Sequence, residues 1–161
     1  MNIFELNINQ NLEFIETILK PFDFEESKRD IIFNNFRNEL KEIGENRVFY
    51  VGEVDTSPVS TGQMVLKNAH NAPQLANGID IAHVHNLWTK KDCQRMGYAK
   101  LLMEHLEKNA IKRGVKILTL GVDDFNQAAI SLYKKLGYST FKEELGRTPE
   151  EKLFLMRKFL I

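Results

Sequence analysis

The stretch from Ile81 to Glu104 constrains the fold more than any other part of the chain. Ile81 to Thr89 is rich in β-branched and aromatic residues, which suit a pleated strand. Lys90 to Met96 is polar and mostly basic. Beyond Gly97, Leu101, Leu102, Leu106 and Ala110 recur at helical spacing. The chain therefore passes from a strand, through a basic loop with one glycine, into a helix start. A helix start presents unpaired backbone N–H groups and the positive end of its dipole, a setting that suits an anion. Gly97 has no side chain, so a phosphate can approach the backbone there. Taken alone, such a glycine is more commonly a plain turn residue. Lys90, Lys91 and Arg95 shift the reading toward a polyanion.

Composition bounds what such a unit can serve. With 161 residues the chain is long enough for one ordinary domain with a real core, and a single domain over 1–161 is expected. Lys plus Arg number 22 and Asp plus Glu number 22, a net charge of zero. That balance argues against a dedicated nucleic-acid binder, which carries a basic excess. One cysteine, Cys93, permits no intramolecular disulfide, and nothing in the spacing suggests a metal cluster. No signal-like segment and no apolar run of spanning length is read, so a soluble cytoplasmic protein with no membrane partner is expected.

The remaining elements follow in order. Ile3 to Leu6 alternates as a short strand. Asn11 to Lys20 carries Leu12, Ile15, Ile18 and Leu19 on one face and stops before Pro21. Asp23, with Glu26 three residues on, has the form of a capping box. The helix it opens carries Ile32, Phe36, Leu40 and Ile43 on one stripe and ends near Gly44. Arg47 to Val54 and Val59 to Leu66 read as strands about a turn at Asp55 to Pro58. Lys67 to Asp80, with Pro73 and an Asn77-Gly78 turn signal, is a long connection, either a lid or a mobile surface tip. Val115 to Val122 is a near-continuous apolar strand, as in a sheet interior. A helix follows Asn126 and ends at Gly137, and Tyr138 to Glu143 and Leu153 to Ile161 supply two more strands. The order β-α-α-β-β-β-α-β-α-β-β gives an α/β (α+β) chain with a central mixed β-sheet flanked by helices.

Two motifs give this order a family. Gln94-Arg95-Met96-Gly97-Tyr98-Ala99 resembles the Gln/Arg-x-x-Gly-x-Gly/Ala signature of the GNAT superfamily of N-acetyltransferases. Asn126 to Tyr138 resembles that family's second motif, Asn-x-x-Ala-x-x-x-Tyr-x-x-x-Gly-aromatic, without a gap. The resemblance implies the GNAT acyl-CoA N-acyltransferase fold and acetyl-CoA as co-substrate, with no metal. It implies that the backbone N–H groups of Arg95 to Lys100 take the pyrophosphate, with Gln94 opening the loop. It implies that Leu87, Trp88 and Thr89 pair their backbone with the pantetheine arm. An N–H near Leu87 would polarise the thioester carbonyl, worth on the order of 3 kcal/mol. Core packing of the Leu87 and Trp88 side chains is compatible with that role. Asn126 is either a helix cap, a pantetheine partner or both, and Ala129 lies inside the same motif. The helices before the second strand resemble the pair that covers the acceptor site.

The resemblance also assigns catalytic roles. Tyr133 stands where the family places the general acid that protonates the departing thiolate. By itself it reads as a packed helix tyrosine. His83 and His85 alternate along a strand and so share a face, and unperturbed histidine titrates at roughly pH 6.5. The pair resembles the His-x-His proton relay of arylalkylamine-type members, and His83 also falls where other members place a catalytic glutamate. The base is His83, His85, Glu53 on the neighbouring strand, or a water. Cys93 lies in the pyrophosphate loop and is not read as a nucleophile. The expected activity is direct acetyl transfer in a ternary complex to a primary amine on a small molecule or a peptide. A protein lysine or N-terminal acetyltransferase is the first alternative, and a catalytically silent acyl-CoA-binding module the second. A homodimer is compatible with these readings.

Overall fold

The computed structural model describes residues 1–7, 12–20, 22 and 24–160. Among them the elements run β1 (Asn2–Glu5), α1 (Leu12–Leu19), α2 (Glu26–Leu40), β2 (Arg47–Val54), β3 (Ser57–Val65), β4 (Ile81–Thr89), a short 3₁₀ turn (Lys91–Cys93), α3 (Tyr98–Lys112), β5 (Ile117–Asp123), α4 (Gln127–Lys135), β6 (Ser139–Leu145) and β7 (Lys152–Phe159). The strands form a seven-stranded sheet in the order β1-β2-β3-β4-β5-β7-β6. The sheet is mixed. β4 and β5 run parallel, from Ile81↔Ile117 to Val84↔Leu120. β1 pairs antiparallel with β2, and β7 pairs antiparallel with both β5 and β6. The parallel pair requires a crossover, and α3 supplies it.

The chain divides into two compact units, residues 1–64 with 86–106, and residues 65–85 with 107–161. The core of the first gathers Ile18 and Leu19 of α1, Phe36 and Leu40 of α2, and Phe49 and Val51 of β2. Trp88 packs on this core, edge-on to Phe24 at 4.8 Å and stacked on Phe36 at 5.4 Å between centroids. Such aromatic pairs add about 1 kcal/mol each beyond the area they bury. The second unit buries Leu118, Leu120 and Val122 of β5, Ile130 and Tyr133 of α4, and Leu155 and Met156 of β7.

Several local expectations change. The helix at α2 begins at Glu26, with Glu25 in the cap position and no side-chain cap bond; Asp23 lies outside the described residues, as do Asn11, Pro21, Ile161 and the side chains of Leu12 and Ile15. Ile32 is only half-buried while Phe36 and Leu40 are buried. The turn after β2 is tighter than Asp55 to Pro58. Asp55 and Thr56 both take positive φ, 49° and 63°, so a two-residue connection carries the chain straight into β3 at Ser57. Two left-handed residues match the right-handed twist of a hairpin. In α3, Leu101 is 44% exposed and Met103 is buried beside Leu102, Leu106 and Ala110. The buried stripe is therefore set one residue round the helix.

The connection from Lys67 to Asp80 is packed. Ala69, Leu75 and Ala76 are buried with Val65 and Leu155 in a small core of their own. The Asn77 side chain accepts from the backbone N–H groups of Ile79, Asp80 and Ile81, at 2.9, 3.0 and 3.0 Å. One amide oxygen thus holds the entry to β4.

Candidate functional site

In the first unit, β4 leads through the basic loop into α3. Lys90 N–H donates to Val59 O at 2.9 Å, which fixes the end of the strand. The Gln94 side chain donates back to Thr89 O at 3.3 Å. Arg95 and Gly97 both take positive φ, 64° and 84°. Gly97 then accepts the first bond of α3, from Leu101 N–H at 3.1 Å. A Cβ built on Gly97 would meet nothing within 4 Å, so the backbone there faces open space. The first turn of α3 contains no acidic residue, and its leading amides, from Tyr98 to Lys100, have no partner four residues back within the helix. Gln94, Arg95, Met96, Gly97 and Lys100 are exposed; Tyr98 and Ala99 are half-buried. Open backbone, a positive dipole end and flanking cations are what a phosphate group needs.

Leu87, Trp88 and Thr89 are all half-buried. Trp88 sends its ring into the core of the first unit. Leu87 lies over Gly62, where a Cβ would come within 3.1 Å of Leu87 Cδ1 and 3.4 Å of Leu102 Cδ2. A side chain at position 62 would make these leucine ends give by a few tenths of an ångström. Just before Leu87, Asn86 takes φ 47° within the strand. Its amide lies 3.3 and 3.4 Å from the two carboxylate oxygens of Glu39. Glu39 also accepts from the fully buried Gln63 at 2.7 Å, and Gln63 accepts from Arg47 at 2.8 Å. The sequence reading passed over Glu39. Its signal was a carboxylate beside Leu40 on the apolar side of a helix. Glu53 is half-buried on β2, opposite Asn2 of β1.

Cys93 is partly buried, and its thiol donates to Asp92 at 3.4 Å. Desolvation first, then the Asp92 carboxylate, pushes its pKa up. A raised pKa keeps the thiol protonated and weakens it as a nucleophile.

In the second unit, His83 and His85 do share a face of β4, with ring centroids 6.4 Å apart. His83 is buried and His85 half-buried. His83 Nδ1 lies 2.8 Å from Thr119 Oγ1 on β5. That hydroxyl donates its own proton to Leu75 O at 2.8 Å. It therefore accepts from His83, so Nδ1 carries a proton, and in the neutral ring Nε2 is the acceptor. A third ring, His70, joins the pair at 6.1 Å from His83 and 5.9 Å from His85. Neither His70 nor Thr119 was singled out from the sequence. His70 sits in the long loop, and only its place 13 residues before His83 could have marked it.

Asn126 caps α4, its side chain accepting from Ala129 N–H at 3.2 Å. Ala129 is half-buried. Tyr133 is 7% exposed, and its ring lies 6.1 Å from that of Tyr138. Burial pushes its phenol up to about 12. Tyr138 is raised further, first by burial and then by the Glu107 carboxylate. Both phenols stay protonated at neutral pH, the state a proton donor requires.

A sequence profile described as the Acetyltransferase (GNAT) family matches residues 11–138. The [ribosomal protein bS18]-alanine N-acetyltransferase of Escherichia coli K12 is 43% identical over 61 residues, 38% of this chain and 41% of the relative. The L-ornithine N5-acetyltransferase of Arabidopsis thaliana is 33% identical over 61 residues, 38% of this chain and 27% of the relative. The matched segment thus spans about two-fifths or less of these relatives' length. Among solved structures, the Escherichia coli ribosomal-protein-S18-alanine N-acetyltransferase aligns with TM-score 0.73 and 22% identity, covering 99% of this chain and 93% of the other. An aminoglycoside 6'-N-acetyltransferase in complex with coenzyme A aligns with TM-score 0.72 and 18% identity, covering 100% of this chain and 98% of the other. At these identities the two structures report the fold alone.

Proposed function

This chain belongs to the GNAT family of acetyltransferases, and from that premise we propose that it transfers the acetyl group of acetyl-CoA directly to a primary amine. The observation that carries the reading is the Gln94–Ala99 motif at a strand–loop–helix junction whose backbone is open above Gly97. Arg95 to Lys100 would hold the pyrophosphate on their N–H groups, and the backbone of Leu87 to Thr89 the pantetheine arm. Acetyl-CoA supplies an activated acyl group and a stable thiol leaving group. His83 accepts the amine proton on Nε2, directly or through water, with Thr119 holding the tautomer. His85 orients that path. Tyr133, kept neutral by burial, protonates the departing sulfur. Asn126 caps α4 and so sets where Tyr133 stands.

The continuous family match over 11–138 supports reading the two compact units as one functional domain. No helix among the described residues is long and apolar enough to cross a membrane. A protein N-terminal acceptor is the second reading, favoured by the names of the 43% identical relatives.

The reading is tested by incubating the full chain with acetyl-CoA and a panel of small amines and N-terminal alanyl peptides. Free thiol and acetylated product are then followed together. The expected outcome is thiol release matched by acetamide formation on at least one amine class. Thiol release with no acetylated amine across the panel counts against direct transfer.

A further inference from the structure

We propose that His70, His83 and His85 form a binding site for one divalent transition-metal ion of the zinc type. One ring nitrogen from each lies within 4.8 Å of the others. The three ring centroids make a nearly equilateral triangle, with sides of 5.9, 6.1 and 6.4 Å. Tetrahedral coordination at about 2.05 Å per nitrogen sets the donors about 3.3 Å apart. Closing from the present spacing takes a shift of about 1.5 Å, within reach of side-chain rotation and a small loop adjustment.

The surroundings are prepared for it. His83 Nδ1–H donates to Thr119 Oγ1, which passes its own proton to the Leu75 carbonyl. Such outer hydrogen bonds orient ligating histidines. His70 is held by a formed turn. His70 and Asn71 both take φ 55°, Asn71 N–H donates to Asn68 Oδ1 at 2.8 Å, and the adjoining Ala69 is 3% exposed. Its side chain is exposed, which gives an ion a way in and leaves a fourth position for water or an anion.

The chemistry of the donors selects the ion. Among the described residues the cluster is three imidazoles, with no carboxylate in it. Magnesium and calcium require oxygen donors, whereas zinc, copper, nickel and cobalt accept imidazole. An ion seated here would take the Nε2 lone pair assigned above to the amine proton and so stop acetyl transfer. That consequence rests on the proposed function, whereas the site itself does not.

The test uses the full chain, free of any histidine tag and stripped of metal by chelator. Zinc chloride is titrated by calorimetry, and cobalt(II) by its visible absorption. The parent is expected to take up about one ion per chain, with cobalt bands of a four-coordinate site. His70→Ala replaces an exposed residue and is expected to keep the fold by circular dichroism. It is expected to bind at least about tenfold more weakly. His105→Gln, which alters a histidine edge-on to Tyr50, is expected to bind as the parent does. Absence of saturable uptake by the parent, equal affinity in His70→Ala, or an equal loss in His105→Gln overturns the proposal. Calorimetry reads no acetyl transfer, so its failure leaves the enzymatic reading untouched.

Discussion

Tyr133→Phe removes one oxygen from a 7% exposed side chain and leaves the ring in place against Tyr138. Burial holds the phenol up at about 12, so at pH 7 only about one molecule in 10⁵ is ionised. Essentially every parent molecule therefore carries the phenol proton that the proposed role requires. Loss of a general acid lowers the rate by about 100-fold, or about 2.7 kcal/mol of barrier. Acetyl-CoA affinity should hold within about twofold, because the phenol proton acts on the leaving group as it departs. The parent's rate should also show no decline from this phenol between pH 8 and 10. An unperturbed tyrosine, near pH 10, would already be half ionised there. Stability carries the same sign. The folded pKa of about 12 lies above the ordinary value of 10.0, so the phenol's contribution is full below pH 10 and is lost as pH rises toward 12. That interval corresponds to roughly 2.7 kcal/mol. The assay is thiol release in single turnover, where chemistry limits the rate, with calorimetry for acetyl-CoA. Parent-like single-turnover rates in the Phe variant would refute the assignment.

Other perturbations test separate parts of the account. His83→Ala should lower turnover with amine while leaving acetyl-CoA affinity intact, and Thr119→Val should lower it less, since it frees the ring tautomer without removing the base; an unchanged rate in His83→Ala moves the search to His85, Glu53 or water. Thr119→Val should also cost about 1–3 kcal/mol in urea denaturation by orphaning the Leu75 carbonyl. Gly62→Ala should cost about 1–3 kcal/mol, because the new methyl would sit 3.1 Å from Leu87 and 3.4 Å from Leu102; an unchanged urea midpoint counts against that packing. Cys93→Ser should keep turnover within about twofold, since the protonated thiol is a poor nucleophile; an acetyl adduct on Cys93 in intact-mass spectra of the parent would contradict this.

Much of this architecture was legible because local signals agreed. Arg47–Val54 and Ile81–Thr89 are strands with the expected bounds, as β-branched and aromatic runs punctuated by turn residues. The loop before α3 was legible for another reason, that the Gln94–Ala99 motif implies a strand, a glycine and a helix start in this order. What escaped was tertiary. Periodicity alone could not tell whether Leu101 or Met103 completes the buried face of α3, because both lie within one residue of the stripe. Nothing local showed that Asn86 would take a left-handed conformation inside a strand, since its partner Glu39 is 47 residues away. A separation of 36 residues hid Thr119 from His83, and the packed state of the Lys67 to Asp80 loop depends on Leu155 of a strand far along the chain. His70 enters the histidine cluster only through that loop's turn.

The central claim is that the backbone at Gly97 receives the phosphates of acetyl-CoA. It is tested most directly by calorimetric titration of acetyl-CoA into the parent, Gly97→Ala and Gly97→Glu. Both substitutions strain a residue at φ 84°, by about 1–2 kcal/mol, and only glutamate adds bulk and negative charge to the open space above it. The account predicts saturable one-site binding by the parent, weakened binding in Gly97→Ala and none in Gly97→Glu. Binding by Gly97→Glu as tight as the parent's would contradict it.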